Sequence, residues 1–236
     1  MFDLIFIDKE SQFLYIYLLF MMLLNPSFAY PAPILSRFNF GLVRMLSKVF
    51  SAAVLGIDAY LVTVETHLEG QLPYISTVGL PEGAVKESKE RVNAAIKNSG
   101  FRFPQKRVTI NLAPADIKKA GSAFDLPMAL GILAAAGKIS PRKIHDYVMI
   151  GELSLDGSLQ PARGVLPIAL MVRKENKKGL LLPPQNIKEA AIVKGLEVYG
   201  VKTLQEAVRF LNGTLTLTPH QLDMDSLFSV SKNYHI

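Results

Sequence analysis

The segment from Leu126 to Ala136 constrains the fold more than any other part of the chain. Its sequence, LPMALGILAAA, is apolar on nearly every side when it is drawn as a helix. A helix without a polar face must be buried by other elements. Asp125 as an N-cap and Pro127 in the first turn mark its beginning, and Gly137 marks its end. The sequence therefore predicts a helix inside a core, and half of the 236 residues are hydrophobic, which is enough to build one.

Short strand-like runs and amphipathic helical stripes alternate on both sides of this helix. The predicted strands are two within 54–69, then 74–78, 108–112, 180–182 and 196–199, with a hairpin of 147–155 and 158–161 around Asp156-Gly157. The predicted helices are 81–100, 125–136, 164–173, 186–194 and one from Thr203 to Leu211, which Thr203 and Glu206 begin as a capping box. This order predicts one mixed α/β domain over residues 45–213.

The first 44 residues do not share this pattern. Phe13 to Leu24 is a 12-residue apolar run, whereas a bilayer span needs about 20 residues. Its length and the small residues around Ala29 are typical of a signal peptide, but residues 1–12 hold three acids and one lysine where a positive region is expected. We expect residues 1–44 to be an extension outside the fold of a cytoplasmic protein, with a signal peptide and a membrane anchor as the alternatives. Residues 214–236 show no core pattern and are predicted to be a linker or tail.

The composition excludes several kinds of site. The chain has no cysteine, which rules out disulfides, thiolate metal ligands and a cysteine nucleophile. Its four histidines are far apart and none has a metal-ligand spacing, so we expect no metal site. The net charge of +6 fits an acidic partner such as nucleic acid, or simply a solvated surface.

A basic stretch between residues 86 and 107 is the first candidate for nucleic-acid contact. Only two glutamates oppose its cations, and Phe101 and Phe103 lie near its end. Such a pattern fits backbone contact with base stacking, or an exposed helix face beside two core phenylalanines. Lys118, Lys119 and the run 173–178 are secondary candidates. The candidate contact residues are Lys86, Lys89, Arg91, Arg102, Lys106 and Arg107.

A set of short motifs carries a family resemblance over about 165 residues. They are VGLP at 78–81, VKES at 85–88, RVNAAI at 91–96, INLAPAD at 110–116, DLP at 125–127, GEL at 151–153 and ARGVLP at 162–167. In this order they resemble the N-terminal domain of Mg-chelatase-like AAA+ ATPases of the ComM/YifB kind. The resemblance implies the fold of the Lon proteolytic domain, also described as ribosomal-protein second-domain-like, with a mixed sheet packed by helices.

The same resemblance implies partners and cofactors for the full-length family. These are ATP and Mg²⁺ bound by an AAA+ module in cis, DNA in branch migration during competence, and a homo-oligomeric ring formed with that module. The phosphate loop G-x-x-x-x-G-K-[ST] does not occur in this sequence, where Gly137-Lys138 is followed by Ile139. We therefore expect no cofactor on this chain, and an AAA+ module missing from it.

The Lon-like fold raises the question of peptidase chemistry. A Lon-type site needs a serine nucleophile and a lysine base. By resemblance the nucleophile position falls on Ala123, next to Ser122, and leucine stands at the base position, Leu166. We therefore interpret Ser122 as a loop or capping serine, Asp116 as a turn former and Asp125 as an N-cap, and predict no catalytic residues. A degenerate Lon-like peptidase and an inactive truncated remnant are the alternatives.

Overall fold

A computed structural model describes residues 45–220, apart from Gln71, Leu80, Lys118, Ala120 and the side chain of Lys86. The predicted extension 1–44 and residues 221–236 lie outside the described residues.

Nine strands and six helices make up the described part of the chain. The strands are β1 (Leu46–Leu55), β2 (Asp58–Glu69), β3 (Tyr74–Val78), β4 (Arg107–Ala113), β5 (Tyr147–Met149), β6 (Glu152–Leu153), β7 (Leu159–Gln160), β8 (Gly179–Leu182) and β9 (Glu197–Gly200). The helices are α1 (Gly83–Asn98), α2 (Asp125–Ala135), α3 (Pro141–Ile144), α4 (Val165–Lys174), α5 (Ile187–Ala190) and α6 (Leu204–Leu211), with a 3₁₀ helix at Pro184–Asn186 before α5.

Seven of the strands form one mixed sheet in the order β3-β4-β2-β1-β5-β8-β9. β1 and β2 are a long antiparallel hairpin, and β2 continues antiparallel onto β4. The remaining four pairs are parallel: β3 with β4, β1 with β5, β5 with β8, and β8 with β9. β6 and β7 form a separate two-stranded hairpin. Parallel strands need cover on both faces, which explains the fully apolar Leu180-Leu181-Leu182.

Helices cover the two faces of the sheet with two distinct cores. On one face α1, α2 and α6 pack over the sheet, and every residue of α2 is buried, as its all-apolar sequence predicts. On the other face α4 packs over β2, β1 and β8, and α5 packs against β9. β8 shows the alternation directly, because Leu181 belongs to the first core whereas Leu180 and Leu182 belong to the second. The predicted mixed α/β fold is confirmed.

Two local predictions are confirmed in detail. Pro167 lies in the first turn of α4, where its missing N–H costs no hydrogen bond. Thr203 caps α6, because its hydroxyl accepts a hydrogen bond from the backbone N–H of Glu206 at 3.1 Å. The carboxylate of Glu206 in turn accepts from the backbone N–H of Lys202 at 2.7 Å.

Three predicted elements differ from the structure. β1 begins at Leu46, eight residues before the predicted strand, because its alanine and serine residues have low strand propensity yet are buried between β2 and β5. The predicted helix 186–194 is limited to the four residues of α5. In the predicted hairpin, residues 147–149 join the main sheet as β5, so only β6 and β7 flank the Asp156-Gly157 turn. The sequence also missed the short helix α3.

The chain returns to the sheet after α6. Leu217 packs against the first core, and the backbone N–H of His220 donates to the carbonyl of Val198 at 2.8 Å, on the outer edge of β9. Within the described residues, no helix has both the length and the apolarity to cross a membrane.

Candidate functional site

Polar side chains from separate motifs meet where helix α2 begins. α1 contributes Arg91, the loop before α2 contributes Ser122, α2 itself contributes Asp125, and β6 contributes Glu152. α1 and β6 both pack against α2, which brings residues up to 61 positions apart to one place. We call these four residues the α2 polar cluster.

The guanidinium of Arg91 holds the carboxylate of Asp125 at two points. Nε of Arg91 donates to Oδ2 at 2.7 Å, and a terminal nitrogen donates to Oδ1 at 3.2 Å. The same terminal nitrogen donates to the hydroxyl of Ser88 at 3.1 Å. The side chain of Asp125 is fully buried, whereas 24% of the Arg91 side chain is exposed. Two-point contacts of this kind are strong and directional, so Arg91 is committed to the interior.

Asp125 is not the N-cap that the sequence predicts. The cap position falls on Phe124, and Asp125 is the first residue of α2. Its carboxylate accepts from the backbone N–H of Leu153 at 3.2 Å as well as from Arg91, so it ties β6 and α1 to the start of the helix. Burial raises the pKa of Asp125, and the hydrogen bonds from Arg91 and Leu153 oppose this rise only in part. The prediction was wrong because the carboxylate of Asp125 is held by the guanidinium of Arg91 and the backbone of Leu153 instead of by the amides of its own helix turn.

Ser122 lies half-buried in the loop before α2, and its hydroxyl donates to Oε2 of Glu152. A serine becomes a nucleophile only when a neighbouring base takes its proton. The contact therefore orients the Ser122 hydroxyl toward the carboxylate of Glu152.

The amine of Lys119 is directed away from this serine. Lys119 is fully buried, and its Nζ donates to the carbonyl of Ile117 at 2.5 Å and to the carbonyl of Pro114. Burial lowers the pKa of Lys119. Lys118, the other lysine of the loop, lies outside the described residues.

The base position implied by the Lon resemblance carries no titratable group. Leu166 is at the start of α4, half-buried, and its backbone N–H donates to Oε1 of Glu189 at 2.9 Å. Asp116 is exposed in the turn after Pro114, as predicted.

Among the described residues, neither Gly137-Lys138 nor any group of acidic and histidine side chains fits nucleotide phosphates or a metal ion. Gly137-Lys138 follows the carboxyl end of α2, whereas a phosphate loop precedes a helix so that the free amides face the phosphates. Within the described part of the chain, no three His, Asp or Glu side chains converge as metal ligands.

The cations of the basic stretch 86–107 lie in different environments. The amine of Lys89 lies 5.7 Å from the ring centre of the exposed Tyr74 on β3. Arg91 points elsewhere, because residues of a helix advance by about 100° each and Arg91 is about 140° from position 86. The side chain of Lys86 lies outside the described residues. The candidate set is therefore not one surface.

The remaining candidates follow α1. Arg102 is exposed in the connection to β4, and Lys106 and Arg107 are half-buried at the start of that strand. Phe103 belongs to the core and Phe101 packs against it, which confirms the interpretation of both as core residues. The ring of Phe103 is therefore out of reach of a stacking base, whereas the ring of Phe101 is only partly buried.

Comparisons with known proteins agree with the motifs. The family described as "Subunit ChlI of Mg-chelatase" matches residues 64–186. The Competence protein ComM of Haemophilus influenzae is 43% identical over 168 residues, which cover 71% of this chain and 33% of that protein. YifB of Escherichia coli is 40% identical over 168 residues with the same coverage. This chain thus spans about a third of the length of these curated relatives.

A more distant relative bears on the fold. Lon protease 2 of Bacillus subtilis is 32% identical over 126 residues, which cover 52% of this chain and 22% of that protein. This similarity agrees with a Lon-like arrangement of the mixed sheet and its helices.

Proposed function

This chain belongs to the Mg-chelatase-like ComM/YifB family, and from this premise we propose that it is a non-catalytic accessory domain that engages DNA beside an AAA+ ATPase module. The observation that carries the first part is the α2 polar cluster. Its charged groups satisfy one another, since Arg91 holds Asp125 and Glu152 accepts from Ser122. A Lon-type nucleophile needs a lysine base beside the serine, whereas the partner of Ser122 is Glu152 and Leu166 stands at the implied base position. The cluster instead joins three elements of the fold.

The second part of the proposal rests on charge and on the relatives. A protein similar to this chain is named a competence protein, and the resemblance of the motifs implies DNA as the substrate of the full-length family. The chain carries a net charge of +6, which favours polyanions. Ring assembly is proposed only together with an ATPase module, because the matched relatives are about three times as long as the region they share with this chain.

Serine-reactive labelling tests the non-catalytic assignment. The full chain and its Ser122→Ala variant are incubated with a fluorophosphonate probe, with an active serine hydrolase as the positive control. We expect no labelling of either protein, since a carboxylate partner leaves the hydroxyl protonated. Labelling of the unmodified chain that Ser122→Ala abolishes would overturn the non-catalytic assignment in favour of the alternative, a degenerate Lon-like peptidase.

Complementation tests the partner. The full chain is mixed with the two thirds of the Haemophilus influenzae ComM protein that it does not match, produced as a separate polypeptide. We expect a complex in size-exclusion chromatography and a change in the rate of ATP hydrolysis on addition of DNA. If neither occurs while the intact relative is active, the chain is an inactive remnant with respect to this partner.

A further inference from the structure

A second group of cations lies at the amino ends of β5, β8 and β9. These neighbouring strands are parallel, so their first residues lie along one edge of the sheet. The segments that lead into β5 and β8 are rich in lysine and arginine. We call six of these residues the strand-start surface: Arg142, Lys143, Arg173, Lys174, Lys177 and Lys178.

Direct contacts join the segments that carry these cations. The backbone N–H of Lys178 donates to the carbonyl of Asp146 at 2.9 Å, and Nζ of Lys177 donates to the carbonyl of His145 at 3.2 Å. The turn that leads into β8 is thereby attached to the turn that leads into β5. α4 ends at Lys174, and a terminal nitrogen of Arg173 donates to the carbonyl of Lys194, in the segment that leads into β9, at 3.3 Å.

Aromatic rings lie beneath three of the lysine amines. The amine of Lys177 is 3.3 Å from the ring centre of Phe50, that of Lys143 is 5.6 Å from Phe210, and that of Lys178 is 6.0 Å from Tyr147. Phe210 and Tyr147 contact each other edge-on with ring centres 5.3 Å apart. A ring face attracts a cation without neutralising its charge, so these amines are positioned yet remain available to an anion.

The strand-start surface carries a net excess of positive charge. Residues 45–220 contain 22 lysine and arginine residues and 15 aspartate and glutamate residues. The strand-start surface supplies six of the cations, and Asp146 and Glu175 are the acids within its segments. None of the six makes a salt bridge with another described residue. The surface therefore accounts for more than half of the excess positive charge.

We propose that the strand-start surface binds the sugar-phosphate backbone of nucleic acid, and that it does so without stacking on bases. Five of its six cations are exposed, and Lys177 is half-buried. The rings beneath Lys143 and Lys178 are only 4% and 2% exposed, so bases cannot reach their faces. Backbone contact alone is independent of sequence and strongly dependent on salt. This inference rests on the proposed function, which assigns DNA as the partner, and adds the surface and the mode of contact.

Three charge-matched variants of the full chain test the inference, and each replaces three exposed or half-exposed cations by glutamine. The first, at the strand-start surface, is Arg142→Gln, Lys174→Gln and Lys178→Gln. The second, on the α1 side, is Lys89→Gln, Lys97→Gln and Arg102→Gln. The third, elsewhere on the domain, is Arg163→Gln, Lys188→Gln and Lys202→Gln. Fluorescence anisotropy with a labelled duplex, oligo-dT and oligo-dA measures binding between 50 and 300 mM salt, and circular dichroism verifies folding.

We expect the strand-start variant to lose about tenfold or more in affinity, with a salt slope shallower by about 2 to 3, while the third variant loses less than about threefold. Equal affinity for oligo-dT and oligo-dA is expected because no base stacks. If instead only the α1 variant loses affinity, the inference is overturned although the proposed function stands. Equal losses for all three variants indicate non-specific attraction and overturn it as well. If the unmodified chain binds no nucleic acid, both proposals fail, and an acidic protein becomes the partner to seek.

Discussion

The two basic regions of this domain differ in how their cations are distributed along the sequence and on the folded surface. The stretch 86–107 is continuous in the chain, yet its cations separate in the fold, because Arg91 turns inward to Asp125 and Phe103 joins the core. The strand-start surface comes from segments up to 36 residues apart, yet its cations converge, because β5 and β8 are parallel and begin at the same edge. A run of charges along the sequence is thus a weaker guide to a binding surface than the topology that gathers short segments.

The cations of the two regions have different roles. In α1 the cation Arg91 is structural, because it compensates the buried carboxylate of Asp125. At the strand-start surface the amines lie over rings and keep their charge for a partner. Loss of Arg91 should therefore lower the free energy of unfolding, whereas loss of a strand-start cation should weaken the binding of DNA.

The largest expected effect is that of Arg91→Ala. The substitution leaves Asp125 buried without its guanidinium, and we expect a loss of about 3 kcal/mol in the free energy of unfolding at pH 7. Lys97→Ala, on the exposed face of the same helix, is the matched control and should change stability by less than about 0.5 kcal/mol. Urea denaturation followed by circular dichroism measures both. Equal stability of the two variants would mean that Arg91 is not structural.

The pH dependence of this variant has a defined sign. Burial already raises the pKa of Asp125, and removal of Arg91 raises it further. A carboxyl group whose pKa is higher in the folded than in the unfolded state costs stability as the pH rises from its unfolded pKa of about 3.9 through its folded pKa. The destabilisation by Arg91→Ala should therefore shrink as the pH falls from 7 toward 4. A penalty that stays constant over this range would show that the buried charge is not its cause.

Gly179→Ala should have the next largest effect, because it alters the edge that carries the strand-start surface. A Cβ at this position would lie 2.5 Å from the backbone carbonyl oxygen of Glu197 on β9, which cannot move without displacing its strand. We expect a loss of about 2 kcal/mol in stability together with weaker DNA binding. Gly83→Ala, where a Cβ meets nothing within 4 Å at the start of α1, is the control and should leave stability and binding nearly unchanged. Thermal unfolding and anisotropy of the two variants decide this.

The fold was largely predictable from the sequence because its signals are local. The all-apolar stripe of α2, the Thr203 cap and the Asp-Gly turn each depend on residues within one or two turns of chain. The predicted first strand was too short, because the alanine and serine residues of β1 form a strand only when they are buried between neighbouring strands.

The site was less predictable because its contacts are long-range. Arg91 and Asp125 lie 34 residues apart, and no periodicity links them. One signal was available, since Arg91 lies three residues from Ser88 and four from Ala95, and positions at these spacings share one face of a helix. The strand-start surface requires the strand order, which the alternation of elements does not specify.

Phe210→Leu should have a smaller effect, and one that separates the two regions. Phe210 contacts Tyr147 and Tyr199 and lies beneath the amine of Lys143. Loss of these ring contacts should cost about 1 kcal/mol in stability. It should also weaken DNA binding by about twofold, since the amine of Lys143 loses the ring face that positions it. Phe103→Leu, a similar loss from the core beside α1, should cost comparable stability without any change in binding. Equal effects of both variants on binding would indicate that the rings act only through general stability.

The smallest expected effect is that of a single exposed lysine at the strand-start surface. Lys178→Gln removes one phosphate contact, which should weaken binding by about threefold near 0.1 M salt and make the slope of log affinity against log salt shallower by about 0.9. Lys178→Arg keeps the charge and should keep the slope. Lys97→Gln removes the same charge from α1 and should leave the slope unchanged, because a cation that meets no phosphate releases no counterion on binding. The slope is more informative than the affinity, since it counts contacts at one surface whereas net charge affects both variants alike. A shallower slope for Lys97→Gln but not for Lys178→Gln would show that the phosphate contacts lie on α1 and not on the strand-start surface.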